Sequence, residues 1–250
     1  MATTKPGKPI PPQFVAASTA VRRQIIINIQ GEAKTGKTDW VLRTAPEPVF
    51  HLVLDPNGAR IHEKIKHELG RDMHMFQLGY SRGVERKTAV DLWAKLKEAT
   101  EAALDYGSGT LLIDSGTEEY EIGRLATMGK LSGELAFNYQ EVNSQLKDIY
   151  RSYYGSDLCV AVIHKLQNEW QGKSPTGNRV MSGWNDVGYE VQANVDTAYY
   201  HDNEEAKFWI YVRNNNLNMS TNNQWYGVDG GAFMTFEQFL DISVEGIPMS

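Results

Sequence analysis

The residues best suited to chemistry lie in one glycine-rich octapeptide, Gly31-Glu32-Ala33-Lys34-Thr35-Gly36-Lys37-Thr38. Its spacing, G-x-x-x-x-G-K-[ST], is typical of a phosphate-binding loop. The glycines let backbone N–H groups approach phosphate oxygens, Lys37 can neutralise the β- and γ-phosphates, and the Thr38 hydroxyl can ligate Mg²⁺. The pattern therefore predicts a site for a nucleoside triphosphate with magnesium. The alternative is a glycine-rich turn that matches the spacing by chance.

The segments on either side of this loop favour the phosphate-binding interpretation. The apolar run 22–30 predicts a buried β-strand, and residues 39–43, beginning with Asp39, can open a helix. Strand, loop and helix then follow in the order that a phosphate-binding loop requires. The positive end of the new helix would lie beneath the phosphates.

A second landmark is the apolar segment Thr110-Leu111-Leu112-Ile113-Asp114-Ser115. It predicts a strand that ends in a carboxylate, which is what a Mg²⁺–nucleotide site needs beside the loop threonine. We therefore interpret Asp114 as the Walker B acid. Glu118 and Glu119 follow closely and either polarise water or form the acidic first turn of a helix.

A further apolar run, 158–163, predicts a strand that ends in His164 and Lys165. In a parallel sheet the carboxyl ends of strands converge on the ligand, so His164 is a candidate contact for the γ-phosphate. A buried structural histidine at the strand end is the alternative.

The next stretch, 166–184, is polar and glycine-rich and is predicted to be a long loop. Basic and aromatic side chains alternate through it, namely Trp170, Lys173, Arg179 and Trp184. Such interleaving suits single-stranded nucleic acid, whose bases stack on rings while cations meet phosphates. A nucleotide lid or a subunit contact is equally compatible. The following segments, 194–200 and 206–213, predict a β-hairpin that ends at Arg213, within reach of a nucleotide.

Composition limits the remaining possibilities. The 250 residues are 41% hydrophobic and carry a net charge of −6, so one principal domain (21–250) is expected, and bulk charge would not attract nucleic acid. The single cysteine, Cys159, excludes an intramolecular disulfide, and no apolar run is long enough to span a membrane. We therefore expect a cytoplasmic protein without membrane contacts.

The proline-containing segment 1–20 is predicted to be a flexible N-terminal arm. Phe14 and Ala17 interrupt its polar character. These two side chains either dock on another subunit or fold back onto the core of their own chain.

Taken in order, these features resemble the RecA-like ATPases. More narrowly, residues from about 20 to 215 are similar to short phage-encoded RecA-like proteins of the AAA-domain or nucleotide-binding type, some of which assist single-strand annealing. The resemblance implies an α/β fold with a mainly parallel central sheet flanked by helices, and a C-terminal β-hairpin. It also implies a homo-oligomer that binds ATP and Mg²⁺ and acts on single-stranded DNA in the cytoplasm of an infected bacterium.

The resemblance assigns roles residue by residue. Gly31, Gly36, Lys37 and Thr38 would bind phosphate and magnesium, Asp114 would support the metal, and His164 would take the place of the γ-phosphate sensor. One departure concerns the catalytic glutamate that the family carries just beyond the second strand. Asn57 is nearest to that position, and an amide cannot accept a proton, so hydrolysis is expected to be slow unless Asp55, Glu118 or Glu119 substitutes.

Two other classes of protein share part of this pattern. A small-molecule kinase would have the same loop and acid but also an arginine-rich lid, whereas residues 165–190 contain only Lys165, Lys173 and Arg179 as cations. A non-catalytic assembly protein that keeps the nucleotide as a structural element is favoured by Asn57 and by the acidic net charge.

Overall fold

The computed structural model describes residues 23–81, 83–129, 139–202, 205–227 and 234–245. Nine strands form the sheet of this part of the chain. They are β1 (Ile26–Gly31), β2 (Val49–Val53), β3 (Met73–Gln77), β4 (Thr110–Asp114), β5 (Cys159–Gln171), β6 (Ser174–Met181), β7 (Ala193–Asp202), β8 (Glu205–Asn215) and β9 (Gln224–Gly227).

Helices connect many of these strands along the chain. They are α1 (Lys37–Thr44), α2 (Pro56–Leu69), α3 (Arg86–Tyr106), α4 (Gly116–Met128), α5 (Gln140–Tyr153), α6 (Val187–Glu190) and α7 (Phe236–Val244), with a short 3₁₀ helix at Met219–Thr221. The strand order is β3-β2-β4-β5-β1-β7-β8-β9, and β6 pairs with the outer part of β5. The strands from β3 to β7 in this order are parallel, while β8 is antiparallel to both of its neighbours, β7 and β9.

The central strands are buried on both faces, which explains their continuous apolar sequences. One face of the sheet packs against α3, α4 and α5, around Trp93, Leu125 and Tyr150. The opposite face packs against α1, α2 and α7, around Trp40 and Phe239. The domain is therefore a three-layer α/β/α arrangement.

The predicted fold class is confirmed. The chain is an α/β protein whose mainly parallel central sheet is flanked by helices, and β7 and β8 form the predicted C-terminal hairpin. Among the described residues, no helix combines the length and the apolarity that crossing a bilayer requires. The predicted arm 1–20, with Phe14 and Ala17, lies outside the described residues.

The predicted long loop at 166–184 is wrong. β5 continues beyond the sheet as far as Gln171, turns, and returns as β6, so these residues form a β-hairpin. The turn residue Gly172 has φ 65°, a conformation that glycine adopts without steric cost. Most residues of this hairpin are exposed, so its sequence lacks the alternation of apolar and polar residues by which a strand is recognised.

The C-terminal helix α7 holds α1, the helix that follows the glycine-rich loop. The ring of Trp40 in α1 lies 5.4 Å from that of Phe236 and 6.2 Å from that of Phe239. Trp40 Nε1 also donates a hydrogen bond of 2.9 Å to the carbonyl of Met234. The last segment of the chain therefore stabilises the base of the loop.

We expect Phe239→Ala to lower the free energy of unfolding by about 3–5 kcal/mol, because it leaves a cavity between α7 and α1. Urea unfolding followed by circular dichroism measures the change. Glu237→Ala, an exposed position on the same helix, is the matched control and should change stability by less than about 0.5 kcal/mol. Equal stability of the two variants would contradict this account of α7.

Candidate phosphate-binding site

The loop between β1 and α1 has the backbone shape of a phosphate cradle. Lys34 and Gly36 adopt positive φ values of 65° and 80°. A β-carbon at Gly31 would lie 2.5 Å from Thr197 Oγ1, so only glycine fits there. Thr35 Oγ1 hydrogen-bonds to the carbonyl of Glu32 at 2.8 Å and to Thr197 Oγ1 at 2.7 Å. The loop is therefore anchored to the neighbouring strand β7.

Lys37 curls back over this loop. Its ammonium donates hydrogen bonds to the carbonyls of Gly31 at 2.8 Å and Glu32 at 2.7 Å. An ammonium has three donors, so one remains. Burial lowers the pKa of Lys37, while the negative charge of Asp114 opposes the change. A partly desolvated cation at this place attracts an anion more strongly than a solvated one would.

Thr38 and Asp114 meet although 76 residues separate them in sequence. Thr38 Oγ1 donates a hydrogen bond of 2.8 Å to Asp114 Oδ2. The strand order explains the contact, because β5 alone lies between β1 and β4, and both strands end at the same edge of the sheet. The Asp114–Ser115 peptide bond is cis.

The hydroxyl and carboxylate fit Mg²⁺, which prefers hard oxygen ligands and keeps several waters and phosphate oxygens in its shell. The described residues contain no cluster of three or more histidine, cysteine or acidic side chains that would hold a metal without a ligand. This pair can therefore hold a magnesium ion that arrives with a polyphosphate. Nothing here suggests a metal cage made of protein alone.

A cation that the sequence did not single out as a phosphate contact lies across from Lys37. Lys165 Nζ is 2.8 Å from Asp55 Oδ2 and 2.6 Å from Glu118 Oε1. Burial would lower the pKa of Lys165, but hydrogen bonds to the two carboxylates outweigh it and the pKa is raised. Lys165 is therefore a fixed positive charge at the end of β5. The Ser115 hydroxyl also donates to Glu118.

Nine of the ten predicted nucleotide-binding residues, 31–39, line one cavity of about 1030 Å³, and Arg213 does not. This volume is sufficient for a nucleotide. The cavity is completed by residues from five other segments: Asp55, Asn57, Gly58, Arg60, Ile61, Asp114, Ile163, Lys165, Leu166, Arg179 and Tyr199. The glycine-rich loop, the predicted Walker B acid and the Asn57 position therefore share one site.

The structure does not place His164 in this cavity. Side chains alternate along a strand, so Ile163 and Lys165 face the cavity and His164 faces the other side. There the fully buried His164 Nδ1 is 2.7 Å from Asn28 Oδ1, and burial lowers its pKa to about 3. The predicted γ-phosphate contact is therefore corrected to a neutral, buried histidine.

Arg213 and Trp184 are also corrected. Arg213 Nε pairs with Asp196 Oδ1 at 2.7 Å on the outer strands, and it does not line the cavity. Trp184 is buried, with its ring 5.3 Å from that of Tyr150, so it is not available to stack on a base. Its buried neighbours come from α5, which the sequence could not place beside residue 184.

Arg179 lies at the glycine-rich loop instead of on an isolated nucleic-acid loop. Its guanidinium pairs with both carboxylate oxygens of Glu32, at 2.8 Å and 3.0 Å, and donates to Asn168 Oδ1 at 2.7 Å. The other predicted nucleic-acid residues, Trp170 and Lys173, are exposed near the tip of the β5–β6 hairpin. The hairpin is thus tied to the site at its base and free of it at its tip.

Two histidines lie behind the Walker B position. His51 Nε2 is 3.6 Å from Asp114 Oδ2, and His51 Nδ1 is 3.3 Å from His62 Nδ1. Burial lowers the pKa of His62 to about 4, so His62 is neutral at pH 7. The carboxylate of Asp114 therefore faces Thr38 on one side and a buried imidazole on the other.

Comparison with known proteins adds a likeness of shape. No family model and no curated protein matches the sequence. Among solved structures, the chain is similar to a KaiC-like protein from the hyperthermophilic archaeon Pyrococcus horikoshii OT3, with a TM-score of 0.49 and 11% sequence identity over 85% of this chain and 88% of that one. The fold is therefore defined by the strand order and the loop geometry given above, and not by this likeness.

We expect Lys37→Ala to weaken binding of Mg²⁺–ATP roughly 100-fold, because it removes the ammonium that neutralises phosphate charge and the charge-assisted hydrogen bond that its remaining donor can make. Calorimetric titration measures the affinity, and circular dichroism verifies the fold. Lys64→Ala, which removes an exposed lysine from α2, serves as the control. Undiminished affinity in Lys37→Ala would rule out this loop as the phosphate site.

Proposed function

We propose that this chain is a RecA-like protein that binds ATP with Mg²⁺ at the glycine-rich loop and hydrolyses it slowly. The hydrogen bond between Thr38 and Asp114 carries the proposal, because it brings together two oxygen ligands of the kind that a Mg²⁺–nucleotide site uses. A glycine-rich turn that matched the pattern by chance would have no reason to end beside an acid on a strand 76 residues away.

Each element of the site contributes a separate task. The backbone N–H groups of 32–36 and the positive end of α1 receive phosphate oxygens. Lys37 and Lys165 both line the cavity and supply two cations. Bound magnesium would neutralise charge that develops on the phosphates. Thr38 and Asp114 would hold this ion.

The carboxylates beside the site explain why turnover should be slow. A general base for water must be free to accept a proton. Asp55 and Glu118 are both paired with Lys165. Burial raises the pKa of Asp55, but hydrogen bonds from Lys165 and the backbone of Asn57 more than offset this, and its pKa lies below the usual value. Asp55 is therefore a weak base in this arrangement.

The same observation favours a second candidate function. If Lys165 stays paired with both carboxylates, the site binds a nucleotide without consuming it, and the protein is a non-catalytic assembly protein. The two functions differ in a measurable quantity, the steady-state rate of phosphate release per bound nucleotide. A small-molecule kinase has less support, because the hairpin over the loop provides a single arginine, Arg179.

Asp114→Asn should lower ATP turnover by roughly 100-fold or more while changing nucleotide affinity by less than about tenfold, since the lost charge matters most to the metal in the transition state. Phosphate release and calorimetric affinity are measured on the same preparations, with Asp91→Asn on the exposed face of α3 as the control. Unchanged turnover would transfer the metal role to Asp55 or Glu118. Absence of turnover in the parent would favour the non-catalytic candidate.

We further propose that single-stranded DNA binds along the β5–β6 hairpin of an oligomer. The support is local: the Trp170 ring is 60% exposed and Lys173 is also exposed, so both a stacking surface and a cation are available. The resemblance to phage annealing proteins motivates the same substrate, and it also suggests the host cytoplasm as the location. Phe14 and Ala17 remain the proposed subunit contact.

Replacing Trp170 and Lys173 separately should distinguish stacking from charge. Lys173→Ala should flatten the slope of log affinity against log salt by about 0.7, whereas Trp170→Ala should weaken binding roughly 5- to 150-fold with little change of slope. Fluorescence titrations of oligo-dT at several salt concentrations, with a non-hydrolysable ATP analogue present, measure both quantities. Trp225→Ala, an exposed tryptophan on β9, is the matched control.

If the parent showed no affinity for single strands under these conditions, the DNA proposal would be refuted. The nucleotide-binding proposal would stand on its own measurements.

A further inference from the structure

One aromatic residue that lines the cavity has no role among the proposed phosphate contacts. β7 brings an aromatic ring, Tyr199, to the wall of the cavity that is formed by the start of α1. The ring is 41% exposed, although neighbouring side chains of the same face are buried. A phenol is neither a cation nor one of the proposed metal ligands, so the phosphate chemistry proposed above does not account for it.

The register of β7 explains how the ring reaches this position. Thr197 and Tyr199 are two residues apart, so they share one face of the strand. Thr197 contacts the loop at Thr35. Tyr199 therefore extends roughly 7 Å further along the same face. It lies against Gly36, where an added β-carbon would be 3.0 Å from Tyr199 Cε2.

The ring is held at a defined angle. Its centroid is 5.7 Å from that of Phe208, its cross-strand neighbour, with an angle of 66° between the two planes. Burial raises the pKa of Tyr199, and the nearby carboxylate of Asp39 acts in the same direction, so the phenol is neutral at pH 7. A neutral ring supported edge-on leaves a flat surface open to the cavity.

The strand order sets the distance between the two ends of the site. Asp114 is on β4 and Tyr199 is on β7, with β5 and β1 between them. Three interstrand spacings amount to roughly 14 Å. The metal ligands fix the β- and γ-phosphates at the β4 side. The rest of a nucleotide must then extend along α1 towards β7, where the ring lies.

We propose that Tyr199 is the nucleobase-binding wall of this site and stacks on the base of the bound nucleoside triphosphate. The inference rests on the proposed nucleotide binding and deepens it. Stacking tolerates any base, because each base has a π-face. Asp39, the nearest carboxylate, is paired with Arg43 at 2.9 Å. The site therefore accepts ATP and GTP with similar affinity.

Calorimetric titrations with Mg²⁺ compare ATP, GTP and inorganic tripolyphosphate, which has the phosphates without the base. Tyr199→Ala should weaken binding of both nucleotides roughly 5- to 150-fold and leave tripolyphosphate binding unchanged. Tyr199→Phe should behave as the parent. Tyr199→Leu keeps an apolar contact with Phe208 without a ring face, and it should resemble Tyr199→Ala. Tyr189→Ala, an exposed tyrosine outside the cavity, is the control.

These titrations distinguish a failure of the base-binding proposal from a failure of the proposed nucleotide binding on which it rests. Failure of the parent to bind tripolyphosphate or ATP would refute the phosphate site itself. Two outcomes would refute the base-binding wall and leave the phosphate site standing. In the first, the parent binds ATP no more tightly than tripolyphosphate. In the second, Tyr199→Ala and Tyr199→Leu retain full affinity for ATP. Equal losses for ATP and tripolyphosphate would show that the ring only supports the loop through Gly36, which also overturns the proposal.

Discussion

The hydrogen bond between Thr38 and Asp114 depends on the order of the strands. A residue of α1 and the last residue of β4 can meet only because a single strand, β5, separates β1 from β4. Every other feature of the site follows from the same order. β5 delivers Lys165 between the two, and β7 brings Thr197 and Tyr199 to the opposite side of the loop. The sheet thus distributes cations, the proposed metal ligands and an aromatic ring along one edge.

Local sequence patterns were sufficient to predict the fold class and the position of the glycine-rich loop. Strands buried on both faces leave continuous apolar runs, and the glycine-rich loop has a fixed spacing, so the α/β class and the location of the cavity wall at 31–39 could be read from sequence. The Asp114 prediction also followed from a local pattern, an acid at the end of an apolar strand. Its position beside the loop threonine was expected from what a Mg²⁺–nucleotide site requires, whereas the strand pairing that creates the contact cannot be derived from the local pattern.

The predictions that the structure corrects concern side chains whose role depends on the face of a strand that they occupy, or on packing against residues distant in sequence. His164 and Lys165 are adjacent, and the sequence did not determine which of them faces the phosphates. Strand alternation from Ile163 would have favoured Lys165, since both occupy the same face. Trp184 was misassigned because its buried position depends on Tyr150 of α5. The sequence of the β5–β6 hairpin predicts a loop because the outer part of β5 and most of β6 are exposed and show no alternation of apolar and polar residues.

The ion pair between Arg179 and Glu32 connects the β5–β6 hairpin to the glycine-rich loop. Glu32 is part of the glycine-rich loop, and Arg179 donates to both of its carboxylate oxygens while also donating to Asn168 on the paired strand. One guanidinium therefore joins both strands of the hairpin to the glycine-rich loop, so the hairpin that presents Trp170 and Lys173 is oriented relative to the cavity through a single side chain.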